Sequence, residues 1–395
     1  MPPPAPHLVD EILEEIFFRL PTPAALARAS TASPHFRRII TERSFLRRYR
    51  KRHPPPLLGF VDEFGFHPAQ ASHSPAPIAR ALADAADFTY SFVPKPSNGT
   101  HWRPRDVCDG RVLLDDGSRF DMFKNLAVCD PLSQRYTLLP PIPMDQEKAP
   151  CEIKPILAPI GEEDETSFKV ICVANFETKL VAFVFSFVAP EWSIATSTSW
   201  TSLGSLPFIT RFVPYSECCS LSRFDYAHGR FYSASPWNDK LLVLDKRKLE
   251  FSTVSDVLVN DIQTGIVVGK EGALEMFSLV DDHSLYGSSD LHHTSQQNNC
   301  EPSNDWHLEN IISLPDHYDY FTLGAAEGFL FLEATKRDTD DEGSPVTTDL
   351  DVDYFSLEVR TSELMEVCRM KKPCFDGLPV YWYFGFPPSL SKPSI

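Results

Sequence analysis

Glycine is scarce in this chain, 17 among 395 residues, and none of it forms a phosphate-cradling loop or a dinucleotide fingerprint. The nucleophile elbow G-x-S-x-G and the zinc-protease motif H-E-x-x-H are also missing. Nine cysteines are scattered from Cys108 to Cys374 with no C-x-x-C pair. That odd, dispersed set builds neither a zinc site nor a disulfide framework. No apolar run spans a bilayer: the longest, Leu180 to Ala189, is about half a span and reads as a buried strand. The opening MPPPAPHLVDEIL lacks the basic and apolar regions of a secretory signal. These absences exclude the common cofactor-dependent enzymes, metal centres and membrane spans. The expectation is reduced thiols in the cytoplasm or nucleus, no cofactor and no metal.

What the chain does have is aromatic bulk and proline, with 29 Phe and 35 Pro. Such composition favours many short strands and turns over long helices. The net charge of −17 is divided unevenly. Residues 1–56 carry ten Lys/Arg against five Asp/Glu, while the remainder carries 27 against 49. An acidic body disfavours contact with nucleic-acid phosphates.

Residues 8–53 read as a helical module, preceded by a disordered stretch at 1–7. In LVDEILEEIFFRL, the apolar Leu8, Ile12, Leu13, Ile16, Phe17 and Leu20 recur at helical spacing. Asp10 and Glu11 suit the positive end of the helix dipole, and Pro21 stops it. Thr22-Pro23 and Ser33-Pro34 each supply an N-cap followed by proline at the first helical position, which opens a second and a third helix. A basic cluster follows at 43–52, Arg43, Arg47, Arg48, Arg50, Lys51 and Arg52, as a linker helix with Phe45, Leu46 and Tyr49 turned inward. Pro54-Pro55-Pro56 closes it.

The run LVDEILEEIFFRLP…LARASTASPHFRRII resembles an F-box. The matching positions are Leu8, Glu11, Ile12, Leu13, Ile16, Leu20, Pro21, Leu26, Phe36, Arg37 and Ile39. Val9 stands where the usual motif has proline, and Ala32-Ser33-Pro34 where Cys-Lys is common. The resemblance implies docking on a Skp-type adaptor, and through it on a cullin–RING ligase. The implied contacts are Leu8, Val9, Ile12, Leu13, Ile16, Leu20, Pro21, Leu26, Phe36 and Ile39.

From residue 57 to 395 the pattern is all-β, with the one helical stretch IARALADAA. Gly110, Gly229 and Gly328 head a loose repeat: RVLLD, RFYSA or FLFLE, a connection, then a second strand ending in DPLSQRY, DKRKLEF or VRTSELM. FKVICVANFETKLVAFVFSFVAPEWSIA, and ALEMFSLVDDHSLYG with WHLENIISL, supply weaker units between them. A period of roughly 50 residues, about four strands, is the signature of a β-propeller, with room for roughly five to seven blades. The terminal PVYWYFGF is expected to pair with LLGFVDEF and close the ring. The fold class is therefore a small all-α module followed by an all-β propeller. It is similar to the large plant F-box families with a kelch-like or F-box-associated β domain.

The function expected is a non-catalytic substrate receptor. Candidates for target contact are Trp102, Arg103, Arg105, Trp192, Arg211 and Trp237, with Trp200, Tyr215 and Tyr318 behind them; each can equally fill a seam between blades. Acidic Asp349-x-Asp351-x-Asp353 and DTDDEGSP read as solvated loops. His292-His293, in the polar SSDLHHTSQQNNCEPSND, reads as a blade loop. Two rivals stand beside this reading. One is a propeller hydrolase or sugar-binding protein, which needs convergent carboxylates at the ring centre. The other is a nucleic-acid-associated protein that uses the 43–52 cluster.

Overall fold

The computed structural model describes residues 8–96, 99–117, 125–144, 149–159, 168–187, 190–204, 221, 223–234, 240–254, 263–269, 272–281, 289–296, 306–337, 349–373 and 379–390. No helix among them is long and apolar enough to cross a membrane.

Four helices open the chain: α1 (Asp10–Phe18), α2 (Pro23–Ala32), α3 (Pro34–Ile40) and α4 (Arg43–Arg52). The caps fall where the sequence puts them. Thr22 accepts a side-chain hydrogen bond from the Ala25 amide at 3.1 Å, and Ser33 one from His35 at 3.2 Å. Val9 precedes α1 with φ −71°, the value proline would have fixed, so its replacement of proline leaves the geometry intact. Asp10 joins α1 to α3 through His35 (2.8 Å) and Arg38 (2.6 Å). The Arg38 and His35 hydrogen bonds hold its carboxyl below the usual range.

Six sheets follow, each a blade. Blade one is β3 (Arg103–Cys108), β4 (Arg111–Asp115), β5 (Leu126–Asp130) and β6 (Arg135–Leu139). Blade two is β7 (Glu152–Ala158), β8 (Lys169–Asn175), β9 (Lys179–Ser186) and β10 (Trp192–Ser199). Blade three is β11 (Asp225–Ala227), β12 (Arg230–Ala234), β13 (Leu241–Asp245) and β14 (Glu250–Val254). Blade four is β15 (Thr264–Val268), β16 (Leu274–Asp281), β17 (Ser289–Gln296) and β18 (His307–Ser313). Blade five is β19 (Tyr318–Ala326), β20 (Phe329–Lys336), β21 (Asp349–Glu358) and β22 (Glu363–Pro373). Blade six joins the chain ends: β23 (Tyr381–Phe384) pairs antiparallel with β1 (Leu57–Asp62), which pairs with β2 (Gly65–Pro68), and α5 (Ala76–Ala85) lies beside them. This is the closure expected from LLGFVDEF and PVYWYFGF.

The repeat read from the sequence is a repeat of turns. Asp109-Gly110, His228-Gly229 and Glu327-Gly328 all have positive φ. Each pair forms the two-residue hairpin between the first two strands of its blade, a turn whose twist matches that of the strands. At the outer hairpins Asp130 accepts the amides of Leu132 and Ser133, and Asp245 those of Arg247 and Lys248. The strands between are buried on both faces, as in Arg111–Asp115, because each face fills a different seam. Thus Leu113 packs with Val170 and Phe185 of blade two, while Val112 and Leu114 pack with Phe60 and Trp382 of blade six.

Two expectations are corrected here. Asp349, Asp351 and Asp353 lie on β21, where Asp351 and Asp353 stand opposite Lys371 and Arg369 of β22. Their spacing of two was the strand period itself, with cross-strand charges as partners. His292 and His293 lie on β17, paired on both sides. The His293 ring stacks on Phe277 at 4.5 Å and its Nε2 lies 3.0 Å from Glu275. DTDDEGSP and Cys300 lie outside the described residues.

Candidate docking site and ring centre

Two places concentrate exposed or polar side chains: one face of α1 and the centre of the ring. On α1, Leu13 and Phe17 point into the helical module and are buried. The other face carries Ile12 and Ile16, continued by Leu8 and Val9, and these four are 41–56% exposed. Pro21 is exposed beside them, and Leu20 and Phe36 are half-buried against the core. Leu13, Leu26 and Ile39, also expected as adaptor contacts, are buried in the core of the module beneath that face. Helical spacing alone does not separate the two faces of a stripe this wide; only the positions of α2, α3 and α4 decide which side is covered.

The basic cluster is partly committed to packing. Arg48 pairs with Glu14 and lies over Phe18, and Arg50 lies over Phe386 at 5.3 Å. The side chains of Arg43, Arg47 and Lys51 lie outside those described.

Among the described residues, the expected target contacts do not converge on one place. Trp102 donates its indole N–H to Pro94 O at 2.8 Å, and Trp192 donates to Pro140 O at 2.7 Å and packs near Phe185. Trp200 donates to Phe176 O at 3.1 Å, and buried Tyr318 donates to Asp353 at 2.7 Å. Trp102 leads into the inner strand of blade one, whereas Trp192 sits on the outer strand of blade two. Arg103 lies 3.7 Å from Glu63. Arg211, Tyr215 and Trp237 lie outside the described residues.

Arg105 does reach the ring centre, within a circuit of polar contacts between inner strands. From β3, Asp106 accepts the Leu157 amide of blade two at 2.7 Å. From β7, Lys154 donates to Leu221 O at 2.9 Å and Glu152 accepts the Leu221 amide at 2.6 Å, just ahead of blade three. From β11, Asp225 accepts the amides of Ile266 (2.8 Å, blade four) and Ala325 (3.1 Å, blade five). Arg223 donates to Leu323 O at 2.8 Å and Val380 O at 2.9 Å, reaching blades five and six. Arg105 completes the circuit, bonded to buried Asp115 and to Tyr381 of blade six.

Backbone irregularity makes this possible. The register of β19 shifts between Thr322 and Gly324, a bulge that takes Leu323 out of the ladder. A Cβ on Gly324 would stand 2.8 Å from the Asp225 carboxylate, so any larger residue here crowds the latch. Burial pushes Asp106 and Asp225 up to about 6, against the pull of Arg223 and the bound amides. Burial also lowers Lys154. These are the polar residues that sequence reasoning missed. Each looks like an ordinary charge at the start of a strand, and only the six-fold arrangement brings them together. Both oxygens of Asp106 and of Asp225 already hold backbone amides, so the carboxylates at the centre act as inter-blade latches. Among the described residues, no group of three or more His, Cys, Asp or Glu could hold a metal ion.

The chain matches the family described as F-box protein AT5G49610-like, beta-propeller, over residues 104–374. No curated protein matches it. Among solved structures it is similar to the tricorn protease at 6% identity and a TM-score of 0.33, covering 67% of this chain and 30% of that one. It is also similar to an exo-1,5-alpha-L-arabinanase from a bovine ruminal metagenomic library at 11% identity and a TM-score of 0.31, covering 67% and 97%. The propeller domain of the Trilobed protease from Pyrococcus furiosus gives 8% and 0.30, covering 70% and 95%. This chain thus spans less than a third of the tricorn protease, and likenesses this distant say nothing about activity. The family match takes in blades one to five, and the chain belongs to the F-box proteins with a C-terminal β-propeller.

Proposed function

We propose that this chain is the target-binding subunit of an SCF-type cullin–RING ubiquitin ligase. The face of α1 docks on a Skp-type adaptor, and the propeller holds a protein target. The chain itself carries out no chemistry; it raises the effective concentration of a target beside another protein's reaction.

The observation that carries this reading is the stripe Leu8, Val9, Ile12 and Ile16. Four large apolar side chains are left in water on a helix whose opposite face is fully used. A contiguous apolar patch on a short amphipathic helix suits a helix-in-groove partner. Its place ahead of an F-box-family propeller supports a Skp-type groove.

The test is co-purification of the full chain with a Skp-type adaptor, beside an Ile12→Asp/Ile16→Asp variant. These positions are exposed, so the variant should fold. Wild type is expected to bind. The variant is expected to lose at least about 100-fold, since each central anchor of such an interface contributes ~2–4 kcal/mol. Failure of the wild type to bind would overturn the reading.

A further inference from the structure

The helical module does not close on itself. Its core, built around Leu13, Phe17, Leu26 and Tyr49, also contains Phe386 and Leu390 from the other end of the chain. Leu390 is 1% exposed and Phe386 7%. The Phe386 ring meets Tyr49 edge-on at 6.3 Å and lies beneath the Arg50 guanidinium. Ring closure delivers the segment to this position. β23 pairs with β1, the Gly385 amide then donates to Pro56 O at 3.1 Å, and a short 3-10 turn at Pro388–Leu390 follows.

We propose that residues 385–390 are a built-in brace of the helical module, so that the face of α1 is ordered only in a chain whose propeller ring is closed. A four-helix unit of about 45 residues buries too little to be stable alone. The brace supplies two side chains that the module's own sequence lacks. Phe386 and Leu390 are too buried to touch a partner, so they act as positioning residues. The coupling is reciprocal: whatever binds α1 also stabilises the β1–β23 closure. An incompletely closed chain would then be a poor competitor for the adaptor. This consequence rests on the adaptor reading; the brace itself does not.

Hydrogen exchange on the full chain tests it, comparing wild type with Phe386→Ala, Leu390→Ala and their double variant. Amides of α1–α4 are expected to exchange about 10- to 100-fold faster in the double variant, because deleting large buried side chains opens the unit they fill. Amides of β8 and β9, in blade two, are expected to be unchanged. Phe386→Leu should restore most of the protection. Adaptor affinity should fall with helix protection although no docking residue is altered. Unchanged exchange in α1–α4 would overturn the proposal, as would equal loss in blade two in both single variants. If the wild type binds no adaptor, the functional reading fails, while the exchange comparison still decides the brace.

Discussion

The helical module and the propeller dispose of their side chains in opposite ways. The propeller uses its aromatics to fill seams and its central charges to tie one blade to the next. Trp192 and Trp200 donate to backbone carbonyls, and Asp225 and Arg223 hold backbone groups of other blades. The module, with far less material, leaves four large apolar side chains in water along α1. The propeller also exposes large apolar side chains, Phe64, Ile194 and Phe321 among them, but on different blades, whereas the module gathers its four on one short stretch, the kind of contiguous patch that marks an interaction site. In the ring, conspicuous residues are poor guides to recognition, because most are already committed to structure.

Substitutions can sharpen this contrast. The largest effect is expected on α1 itself, where neighbouring residues should behave differently. Leu13→Asp buries a charge in the module core and should unfold α1–α4, a loss of more than ~3 kcal/mol. Ile12→Asp should shift the melting temperature little and remove adaptor binding. Circular dichroism with a pull-down separates the two; equal destabilisation by both would erase the distinction between buried and exposed faces.

At the ring centre, Asp225→Asn replaces an acceptor of two amides with a group that can accept on one side only. The expected cost is about 2–4 kcal/mol in urea unfolding, from one buried amide left without a partner and an uncompensated Arg223. Gly324→Ala should cost roughly 1–3 kcal/mol, since its φ of +95° and the nearby Asp225 oxygen both resist a Cβ. If both variants melt like wild type, the latches are ornamental.

The smallest effect concerns pH. Asp106 and Asp225 are pushed up to about 6 in the folded state by burial, above the ordinary carboxylate value. Their protonation therefore favours the folded chain. That contribution is fully present below about pH 4 and is lost as pH rises through about 6. Acidification from pH 7 to 5 should widen the stability gap between wild type and Asp225→Asn by roughly 1 kcal/mol. A gap that narrows instead would mean that the carboxylate, not the acid, is the form the ring prefers.

Much of this architecture was legible along the chain because it depends on local chemistry. The caps at Thr22 and Ser33, the stop at Pro21 and the turns at Gly110, Gly229 and Gly328 use residue types whose conformational preferences act over a few positions. Hydrophobic period then made strands of the segments between. Where the strand was polar, as in SDLHHTSQ of β17 or DLDVD of β21, the period was present but carried no apolar signal, and propensity pointed to loops. Tertiary structure alone decided three things: which face of α1 is covered, that Phe386 and Leu390 complete a core at the opposite end of the chain, and that isolated charges on β3, β7 and β11, with Arg223, reach backbone groups around the ring as one circuit. Each depends on contacts between residues far apart in sequence, and such contacts leave no mark on either segment read by itself.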